Sequence, residues 1–508
     1  MAGRLRRWWW GMLGAACLAA MACGAGAQQQ PSPRQLVIVV DGLRPDYVTP
    51  DVMPRLARVG ERGIVFTAHH SVFPTVTRVN GSSLVTGSYP ETHGLLGNSV
   101  YIPAVSPTRV LDTGAREDLE AVERAAGHVL TAPSLGELLE GAGKRLAGFS
   151  SGSTGSAYLL NQAARNRAIV HNDYALPEDL ADRVLKRLGP APAHATPNIA
   201  QHRRAIDAYL AFGVDDLRAD AAIIWLNDPD TTAHAKGIGS PTTREALAGV
   251  DAEIGRLEDA LRARGVLERT NILVTSDHGF STHTGGFQLR GLLEPFVQKM
   301  PDGSPDIVVA EGAIHFRGNP DHARVTRVVA ALQEHAEVGA IFTRPRPGGG
   351  AEGIVPGTLS FDVARWNHAR AGEILVSANW TANVNGAGYA GTTTDNGVAG
   401  HGASSPFDIH NTLIAAGPDF REHASSSVPT ANVDIAPTVL RLLQLPIPAS
   451  MTGRVIEEAF RAGPSPSSIH VEQTTESVHT ADGSYTLTAH ISVAAGRRYL
   501  DFTDVARR

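Results

Sequence analysis

The sequence predicts an α/β protein with a doubly wound, mostly parallel sheet, helices on both faces of the sheet, and an inserted cap. Residues 36–40, 221–226 and 271–275 are short apolar runs that predict strands. Each run is apolar on both of its faces, which is typical of strands covered by helices on either side. Between the strands lie helical patterns such as residues 243–264, whose apolar positions recur at three- and four-residue steps. Strands that alternate with helices favour a parallel sheet.

Composition narrows the class of protein. The chain has 508 residues, enough for one large core and a smaller unit. Its apolar content of 43% and charged content of 19% are those of a folded protein and exclude general disorder. A net charge of −6 provides no broad basic surface, so a nucleic-acid polymer is not the expected partner.

The first 27 residues predict a secretory signal peptide. A basic start is followed by a short apolar stretch and an Ala-Gly-Ala end, with cleavage expected after Ala27. We therefore expect an exported protein, periplasmic or secreted, without a stable membrane anchor. A retained anchor and lipidation of Cys23 remain open alternatives. Cys17 and Cys23 both lie in this segment, so the mature chain would have neither disulfides nor a catalytic thiol.

The rest of the chain divides into a core, an insertion and an extension. We predict a catalytic core over residues 33–283 and 396–460, with a returning strand at 411–416 and a closing helix at 434–445. Residues 284–395, with mixed short strands and a Pro/Gly-rich turn, are predicted to form an inserted cap over the site. Residues 463–508 end in two alternating runs, at 485–493 and 498–502, which predict a C-terminal hairpin.

Acidic residues and histidines follow the predicted strands. Each motif alone is compatible with an ordinary turn or a structural histidine. Ligands of doubly wound sheets gather at the carboxyl ends of strands, where these side chains are expected to lie. The set comprises Asp41 before Gly42, Asp230 with His234 four residues later, the pair Asp277-His278, and His401 between two glycines.

Together these residues provide three carboxylates and three imidazoles. That number suffices for two zinc ions with three protein ligands each and open positions for substrate. Ligands of oxygen and nitrogen also allow other divalent metals. Two neighbouring ions would stabilise both the attacking and the leaving oxygen of a displacement at phosphorus.

A hydroxyl nucleophile is expected close to these residues. The segment 74–83 contains several hydroxyls at a predicted helix start, where a helix N-terminus favours negative charge. Helix capping by Thr or Ser is the alternative role. The segment alone does not choose between Thr75 and Thr77.

The order and spacing of these motifs resemble those of the nucleotide pyrophosphatase/phosphodiesterase branch of the alkaline phosphatase superfamily, over residues 36–455. That resemblance implies an alkaline phosphatase-like fold. The motifs that carry it are Val-Asp41-Gly, Pro74-Thr-Val-Thr77, Val85-Thr-Gly-Ser-Tyr-Pro-Glu-Thr-His93-Gly, Asn98, Pro229-Asp230 with His234, Ser276-Asp277-His278-Gly, and Gly400-His401-Gly.

The resemblance also implies roles for individual residues. Thr77 is the implied nucleophile, which attacks a phosphate diester or phosphoanhydride to form a phospho-threonine that water then hydrolyses. Asn98 donates a hydrogen bond to a non-bridging phosphate oxygen. The implied ligands are Asp230, His234 and His401 for one zinc, and Asp41, Asp277, His278 and the Thr77 oxygen for the other.

Arg78 departs from the family pattern. Animal members carry an aromatic residue there that stacks on the nucleotide base, and Val79 stands where Pro is usual. A guanidinium can pair with a phosphate or stack on a base, so Arg78 could select another leaving group or a monoester dianion. Pairing with an internal carboxylate is the alternative. We expect Tyr89, His93 and His283 to be supporting or structural residues.

Three alternative functions share these residues. A phosphomonoesterase and a phosphonoacetate-type hydrolase would use the same metal ligands. The non-enzyme alternative is a metal-dependent binding protein with an inactive site. The presence of the full ligand set and of the threonine argues against it. The sequence leaves the physiological substrate, the metal and the oligomeric state undecided.

Overall fold

A large central sheet organises the chain, of which a computed structural model describes residues 33–318 and 320–508. The predicted signal segment 1–27, with Cys17 and Cys23, lies outside the described residues. Pro33–Arg508 forms one compact unit. Among the described helices, none combines the length and the apolar character that crossing a lipid bilayer requires.

The first part of the core contains most of the sheet. Its strands are β1 Arg34–Val40, β2 Ile64–His70, β3 Ser99–Val100, β4 Leu111–Asp112, β5 Leu146–Ser150, β6 Ala168–His171, β7 Ala175–Leu176, β8 Ala221–Leu226, β9 Thr270–Thr275 and β10 Ser281–His283. Its helices are α1 Pro54–Arg62, α2 Thr77–Thr86, α3 Pro90–His93, α4 Arg116–Ala126, α5 Leu135–Gly141, α6 Thr154–Leu159, α7 Glu178–Leu188, α8 Ile199–Ala208, α9 Asp230–Lys236 and α10 Pro241–Ala263.

The later elements complete the core and build the cap and the extension. In the predicted cap range they are α11 Leu289–Leu293, β11 Ile307–Ala310, β12 Ala313–Phe316, α12 His322–Glu334, β13 Val338–Thr343, β14 Leu359–Ser360, β15 Ile374–Ala378, β16 Trp380–Val384 and β17 Ala390–Thr393. After it come β18 Ala399–Gly400, α13 Pro406–Ile409, β19 His410–Ala416, β20 Ala424–Ser426, β21 Thr430–Ala431, α14 Ile435–Leu442, β22 Val471–His479, β23 Tyr485–Ala494 and β24 Arg497–Arg507.

The central sheet is mostly parallel, as predicted. Its strand order is β20-β2-β19-β9-β1-β8-β5-β6-β7, with β21 beside β2. Strands β9, β1, β8, β5 and β6 run parallel to one another, whereas β19 is antiparallel to both β2 and β9. The antiparallel direction of β19 places its amino end at the edge where β1, β8 and β9 end.

Both faces of the sheet are buried under helices, which confirms the predicted α/β class. Alternate residues of β1 enter two separate apolar cores. Ile38 packs in the core that contains Leu247 and Val250 of α10, and Val39 packs in the core that contains Val439 of α14. Because successive side chains of a strand point to opposite faces, a run without polar residues requires cover on both sides.

The predicted cap range contains a second sheet. Its strand order is β11-β12-β15-β13-β14, and it shares an apolar core with α12. Strands β16 and β17 also fall in this range, but they form a further sheet with β10 and β18. Strand β10 precedes the predicted cap range in the sequence, and β18 follows it. The cap boundaries at residues 284 and 395 therefore stay a prediction.

The C-terminal extension holds one more strand than the predicted hairpin. Strands β23 and β24 match the two predicted runs, and β22 adds a third antiparallel strand beside β23. Most side chains of β22 are exposed and polar, so the sequence lacks the apolar alternation that marks a strand with one buried face. The Tyr485 hydroxyl donates to the Gly339 carbonyl oxygen of β13 at 2.9 Å, which attaches this sheet to the cap strands.

Candidate active site

Two groups of side chains that could hold a metal ion lie at the carboxyl edge of the central sheet. Asp41 follows β1, and Asp277 and His278 follow the adjacent strand β9. The Nε2 atom of His278 lies 3.5 Å from Asp41 Oδ1 and 3.1 Å from Asp277 Oδ2. These residues form the first group.

The second group combines a helix with a distant loop. Asp230 and His234 lie one turn apart on α9, which follows β8, and the loop before β19 carries His401. Asp230 Oδ1 lies 3.2 Å from His234 Nε2 and 3.4 Å from His401 Nε2. The same oxygen lies 4.0 Å from His278 Nε2, so the two groups adjoin.

These separations suit divalent cations. Two ligand atoms about 2.1 Å from one ion, at a tetrahedral angle, lie about 3.4 Å apart. Within each group the nitrogen-to-oxygen distances run from 3.1 to 3.5 Å. Asp41 Oδ1, Asp230 Oδ1 and Asp277 Oδ2 are buried without a hydrogen-bond partner among the described residues. Buried carboxylate oxygens without donors are stabilised by a proton or by a bound cation, and two groups of this composition could each hold a metal ion.

Backbone carbonyls orient all three imidazoles of the site. The Nδ1 atoms of His234, His278 and His401 donate to the carbonyl oxygens of Ala399, Gly279 and Thr75, at 2.9, 2.9 and 2.8 Å. Each ring therefore turns its Nε2 lone pair toward the carboxylates. This is the arrangement in which a histidine binds a metal ion with its tautomer already selected.

The charges in this buried site act on one another. Burial, together with the charges of Asp277 and Asp230, raises the pKa of Asp41 well above its usual range. Burial also favours the neutral form of Asp230, but His234 and His401 outweigh it and hold the pKa of Asp230 well below its usual range. Three carboxylates in so small a volume repel one another, and divalent cations would relieve that repulsion.

Thr77 and Thr75 occupy different environments. Thr77 is the first residue of α2, and its Oγ1 lies 3.3 Å from His278 Nε2. Thr75 Oγ1 instead donates to the Ala403 carbonyl oxygen at 2.8 Å and accepts from the Gly402 N–H at 3.0 Å. The Thr75 hydroxyl thus supports the loop that carries His401, and Thr77 is the hydroxyl that faces the first metal group.

Asn98 and Arg78 lie beside Thr77. The Asn98 Oδ1 atom accepts a hydrogen bond from the Arg78 backbone N–H at 3.0 Å. Its Nδ2 group therefore keeps its hydrogens for another acceptor. The Arg78 guanidinium lies 4.0 Å from the Asp112 carboxylate, and Arg78 Nε is buried without a hydrogen-bond partner in the described part of the chain. Arg78 is therefore only loosely paired with Asp112, an exposed carboxylate rather than an internal one.

The predicted supporting residues separate into two kinds. His93 is fully buried, 3.0 Å from the Ser83 hydroxyl, and accepts from the Leu95 N–H, so its role is structural. His283 lines a cavity of about 380 Å³ that also borders His401. The Tyr89 hydroxyl donates to the Arg498 carbonyl oxygen at 3.5 Å, away from the metal groups.

Two residues at the site are not predicted by the sequence, Trp225 and Glu311. The indole Nε1 of Trp225 donates to Asp41 Oδ2 at 2.9 Å, which leaves Asp41 Oδ1 for a metal. Glu311 reaches from the cap strands to the loop of Asn98. An apolar strand residue and a lone glutamate in a cap turn carry no local signal of such a role.

The fold and the site together define an alkaline phosphatase-like protein with two adjacent metal-binding groups. The model of the family "Type I phosphodiesterase / nucleotide pyrophosphatase" matches residues 35–404, and the chain belongs to this family. That match covers β8, β9, α2 and all six Asp and His residues of the two groups.

Several curated proteins are similar to part of this chain. Human ectonucleotide pyrophosphatase/phosphodiesterase family member 7 is 26% identical over 279 residues, which is 53% of this chain and 52% of that protein. A bis(5'-adenosyl)-triphosphatase of Bos taurus is 23% identical over 287 residues, 56% of each chain. A venom phosphodiesterase of Crotalus durissus collilineatus is 25% identical over 261 residues, 51% of this chain and 27% of that protein. The chain thus matches about half, or less, of the length of these relatives.

Proposed function

We propose that this protein is an exported two-zinc hydrolase of phosphate diesters or phosphoanhydrides that works through a phospho-threonine at Thr77. The observation that carries the proposal is the Thr77 hydroxyl at the start of α2, 3.3 Å from His278 Nε2 and beside two Asp/His groups. Membership of the family and the names of the relatives support phosphate ester or anhydride chemistry.

The metal ions would be held by the two groups already described. Asp41, Asp277, His278 and the Thr77 oxygen would bind one, and Asp230, His234 and His401 the other. Bound there, they would lower the pKa of nearby hydroxyls and neutralise charge on the phosphate.

The chain's own residues would carry the reaction in two displacements. The Thr77 hydroxyl releases its proton to solvent, its Oγ attacks phosphorus to form the Oγ–P bond, and the P–O bond to the leaving group breaks. The leaving oxygen takes a proton from solvent. Water then attacks the phospho-threonine, the Oγ–P bond breaks, and Thr77 regains its proton. The positive end of the α2 dipole favours the negative charge that develops beside Thr77.

Asn98 and Arg78 would bind the phosphate. The Nδ2 group of Asn98 would donate to a non-bridging oxygen, and the hydrogen bond from the Arg78 N–H to Asn98 Oδ1 supports this role. The loosely paired Arg78 guanidinium would supply a second, charged donor. The cavity of about 380 Å³ beside His401 has room for one small ester substituent, which fits a small-molecule substrate.

Substrate profiling tests the proposal. The purified protein with zinc is assayed against bis-p-nitrophenyl phosphate, p-nitrophenyl phosphate, the p-nitrophenyl ester of thymidine monophosphate, and phosphonoacetate. We expect the diesters to react fastest. Preference for p-nitrophenyl phosphate or for phosphonoacetate would instead support one of the alternative hydrolases. Inactivity on all four with both ions bound would support a binding protein.

Two substitutions test the nucleophile. Thr77→Ala should lower diester hydrolysis by about 1,000-fold or more, because it removes the attacking oxygen. The matched variant Thr77→Ser retains a hydroxyl and should keep measurable activity. Reactions of this variant stopped with acid should still contain enzyme that carries a covalent phosphoryl group at residue 77. Equal rates for Thr77→Ala and the wild type would exclude Thr77 as the nucleophile.

A further inference from the structure

A glutamate of the cap region contacts the loop that carries Asn98. Glu311 Oε2 accepts hydrogen bonds from the backbone N–H groups of Asn98 at 2.5 Å and Ser99 at 3.3 Å. The contact joins residues 213 positions apart in the chain. Among the described residues, Glu311 forms no ion pair, so these N–H groups are its polar partners.

The backbone on both sides is adapted to this contact. Glu311 lies in the two-residue turn between β11 and β12 and adopts a left-handed φ of 57°, which is uncommon for a residue with a side chain. Residue 97 is a glycine, and a Cβ there would lie only 2.7 Å from Glu311 Oε2. Because Glu311 adopts this strained conformation and residue 97 has no side chain, the Glu311 carboxylate can reach the Asn98 backbone.

Asn98 is consequently held at three points. Glu311 from the cap strands binds its backbone N–H, and the Arg78 N–H at the start of α2 binds its side-chain Oδ1. The Thr113 N–H and hydroxyl bind its carbonyl oxygen, at 2.9 and 2.7 Å. The one polar group of Asn98 that remains is the Nδ2 donor, next to the residue that follows Thr77. Three fixed points and one free donor are what a preorganised hydrogen bond to a phosphate oxygen requires.

Glu311 also brings negative charge to the edge of the phosphate site. Its carboxylate borders the cavity that reaches His401 and Val76, the residue before Thr77. A phosphate diester carries one negative charge, and a monoester near neutral pH carries close to two. Burial raises the pKa of Glu311, whereas the Arg78 guanidinium and the Asn98 and Ser99 N–H groups lower it. In its ionised form the Glu311 carboxylate disfavours the monoester more than the diester.

We propose that Glu311 is a positioning residue for Asn98 and a specificity determinant that favours diesters over monoesters. This inference rests on the proposed function and deepens it. Glu311 acts in two separable ways: as a hydrogen-bond acceptor that holds the Asn98 loop, and as a charge that opposes a dianionic phosphate.

Two substitutions separate these roles. Glu311→Gln keeps an oxygen that can accept from the Asn98 N–H and removes the charge, so the ratio of diester to monoester kcat/KM should fall at least about threefold. Glu311→Ala removes the acceptor as well, and diester kcat/KM should fall about 10-fold or more. The matched control Glu334→Gln removes an exposed charge on α12 and should leave the ratio and the rates unchanged.

A double-mutant cycle shows whether Glu311 acts through Asn98. Diester kcat/KM is measured with bis-p-nitrophenyl phosphate for the wild type, Asn98→Ala, Glu311→Ala and the double variant, each loaded with zinc. We expect Glu311→Ala to cost less than about threefold once Asn98 is absent, because its effect is exerted through that residue. An equal cost in both backgrounds would overturn the positioning role, and an unchanged substrate ratio in Glu311→Gln would overturn the charge role.

The outcomes are distinguishable from failure of the proposed function. A wild-type protein that hydrolyses neither ester with both ions bound overturns that function and the role of Glu311 with it. If Glu311→Ala does not fold, the same cycle is run with Glu311→Gln and the monoester as the second substrate. The change of the ratio should then persist in the Asn98→Ala background, because the charge of Glu311 acts on the substrate directly. A change of the ratio that vanishes in that background would overturn the charge role.

Discussion

The buried side chain of Trp225 orients Asp41, a candidate metal ligand. Its indole N–H donates to Asp41 Oδ2, while Asp41 Oδ1 points to His278. Partners that orient metal ligands in this way are typically worth about 10- to 100-fold in metal affinity. A strand residue whose side chain is almost entirely apolar thereby contributes to a polar site.

We expect Trp225→Phe to lower zinc affinity about 10- to 100-fold, because Asp41 loses the hydrogen bond that orients it. Competition with a chromogenic chelator measures the affinity. Trp366→Phe is the matched control, since Trp366 is equally buried but donates to the Leu96 carbonyl oxygen under the cap. Equal zinc affinities for the Trp225 variant and the control would contradict the role of Trp225.

Asp395 is a half-buried carboxyl in the wall of the cavity, without an ion pair among the described residues. Burial raises its pKa to about 7, and the charges of Asp408 and Glu311 add to the effect. The unfolded chain ionises this group near pH 3.9, so ionisation costs the folded protein stability as pH rises from about 4 to about 7.

Asp395→Asn should therefore raise the free energy of unfolding by about 1–2 kcal/mol at pH 8 and by much less at pH 5. Urea unfolding at the two pH values measures the difference. Glu334→Gln, which removes an exposed carboxylate of α12, should show no such pH dependence. A gain that is equal at both pH values would indicate a cause other than the charge of Asp395.

At the scale of elements, the C-terminal sheet connects to the core as well as to the cap strands. The Nε2 of His70, in β2, lies 2.7 Å from Asp501 Oδ1 in β24, and its Nδ1 donates to the Thr430 carbonyl oxygen. Asp501 also accepts from the Ser492 hydroxyl. The largely buried His70–Asp501 contact joins a strand of the central sheet to the last strand of the chain.

Asp501→Asn should lower the free energy of unfolding by about 1–3 kcal/mol, because it weakens a buried, charge-assisted contact. Chemical denaturation measures the loss. Asp504→Asn is a matched control on the same strand, where Asp504 contacts His490 at the surface, and it should cost less than about 1 kcal/mol. Similar losses for both variants would mean that the His70 contact contributes no more to the free energy of unfolding than the surface contact does.

The elements that the sequence predicted well are those with one dominant pattern. Strands β1, β8 and β9 and helix α10 have strong apolar periodicity, and their observed limits lie within two residues of the predicted ones. Strand β22 is polar along most of its length, and the sequence does not predict it. Its stability comes from pairing with β23 rather than from an apolar face. The antiparallel direction of β19 likewise had no local signal.

At the scale of the whole molecule, the site draws on the entire core. Its candidate metal ligands follow β1, β8 and β9 and precede β19, and Thr77 begins the helix that follows β2. A bound ion would therefore hold segments far apart in sequence and offset the repulsion among three buried carboxylates.

Removal of metal should lower the thermal stability of the protein. We expect a chelator to reduce the melting temperature by about 5 °C or more, and zinc to restore it, because ions that bind only the folded state stabilise it. Asp230→Asn should bind about one zinc per chain and show a smaller shift. A melting temperature that stays constant while the measured zinc content falls to zero would contradict this expectation.

The sequence by itself determined the α/β class, the strands that form the centre of the sheet, and the residue types able to bind two metals. Those features are local, since strand-end acids and apolar periodicity are written in consecutive residues. Only the tertiary structure decided that Thr77 rather than Thr75 faces the metal groups, that Trp225 orients Asp41, and that Glu311 reaches Asn98. Each of these contacts joins segments distant in sequence, and such contacts depend on how the strands and loops pack rather than on any neighbouring residue.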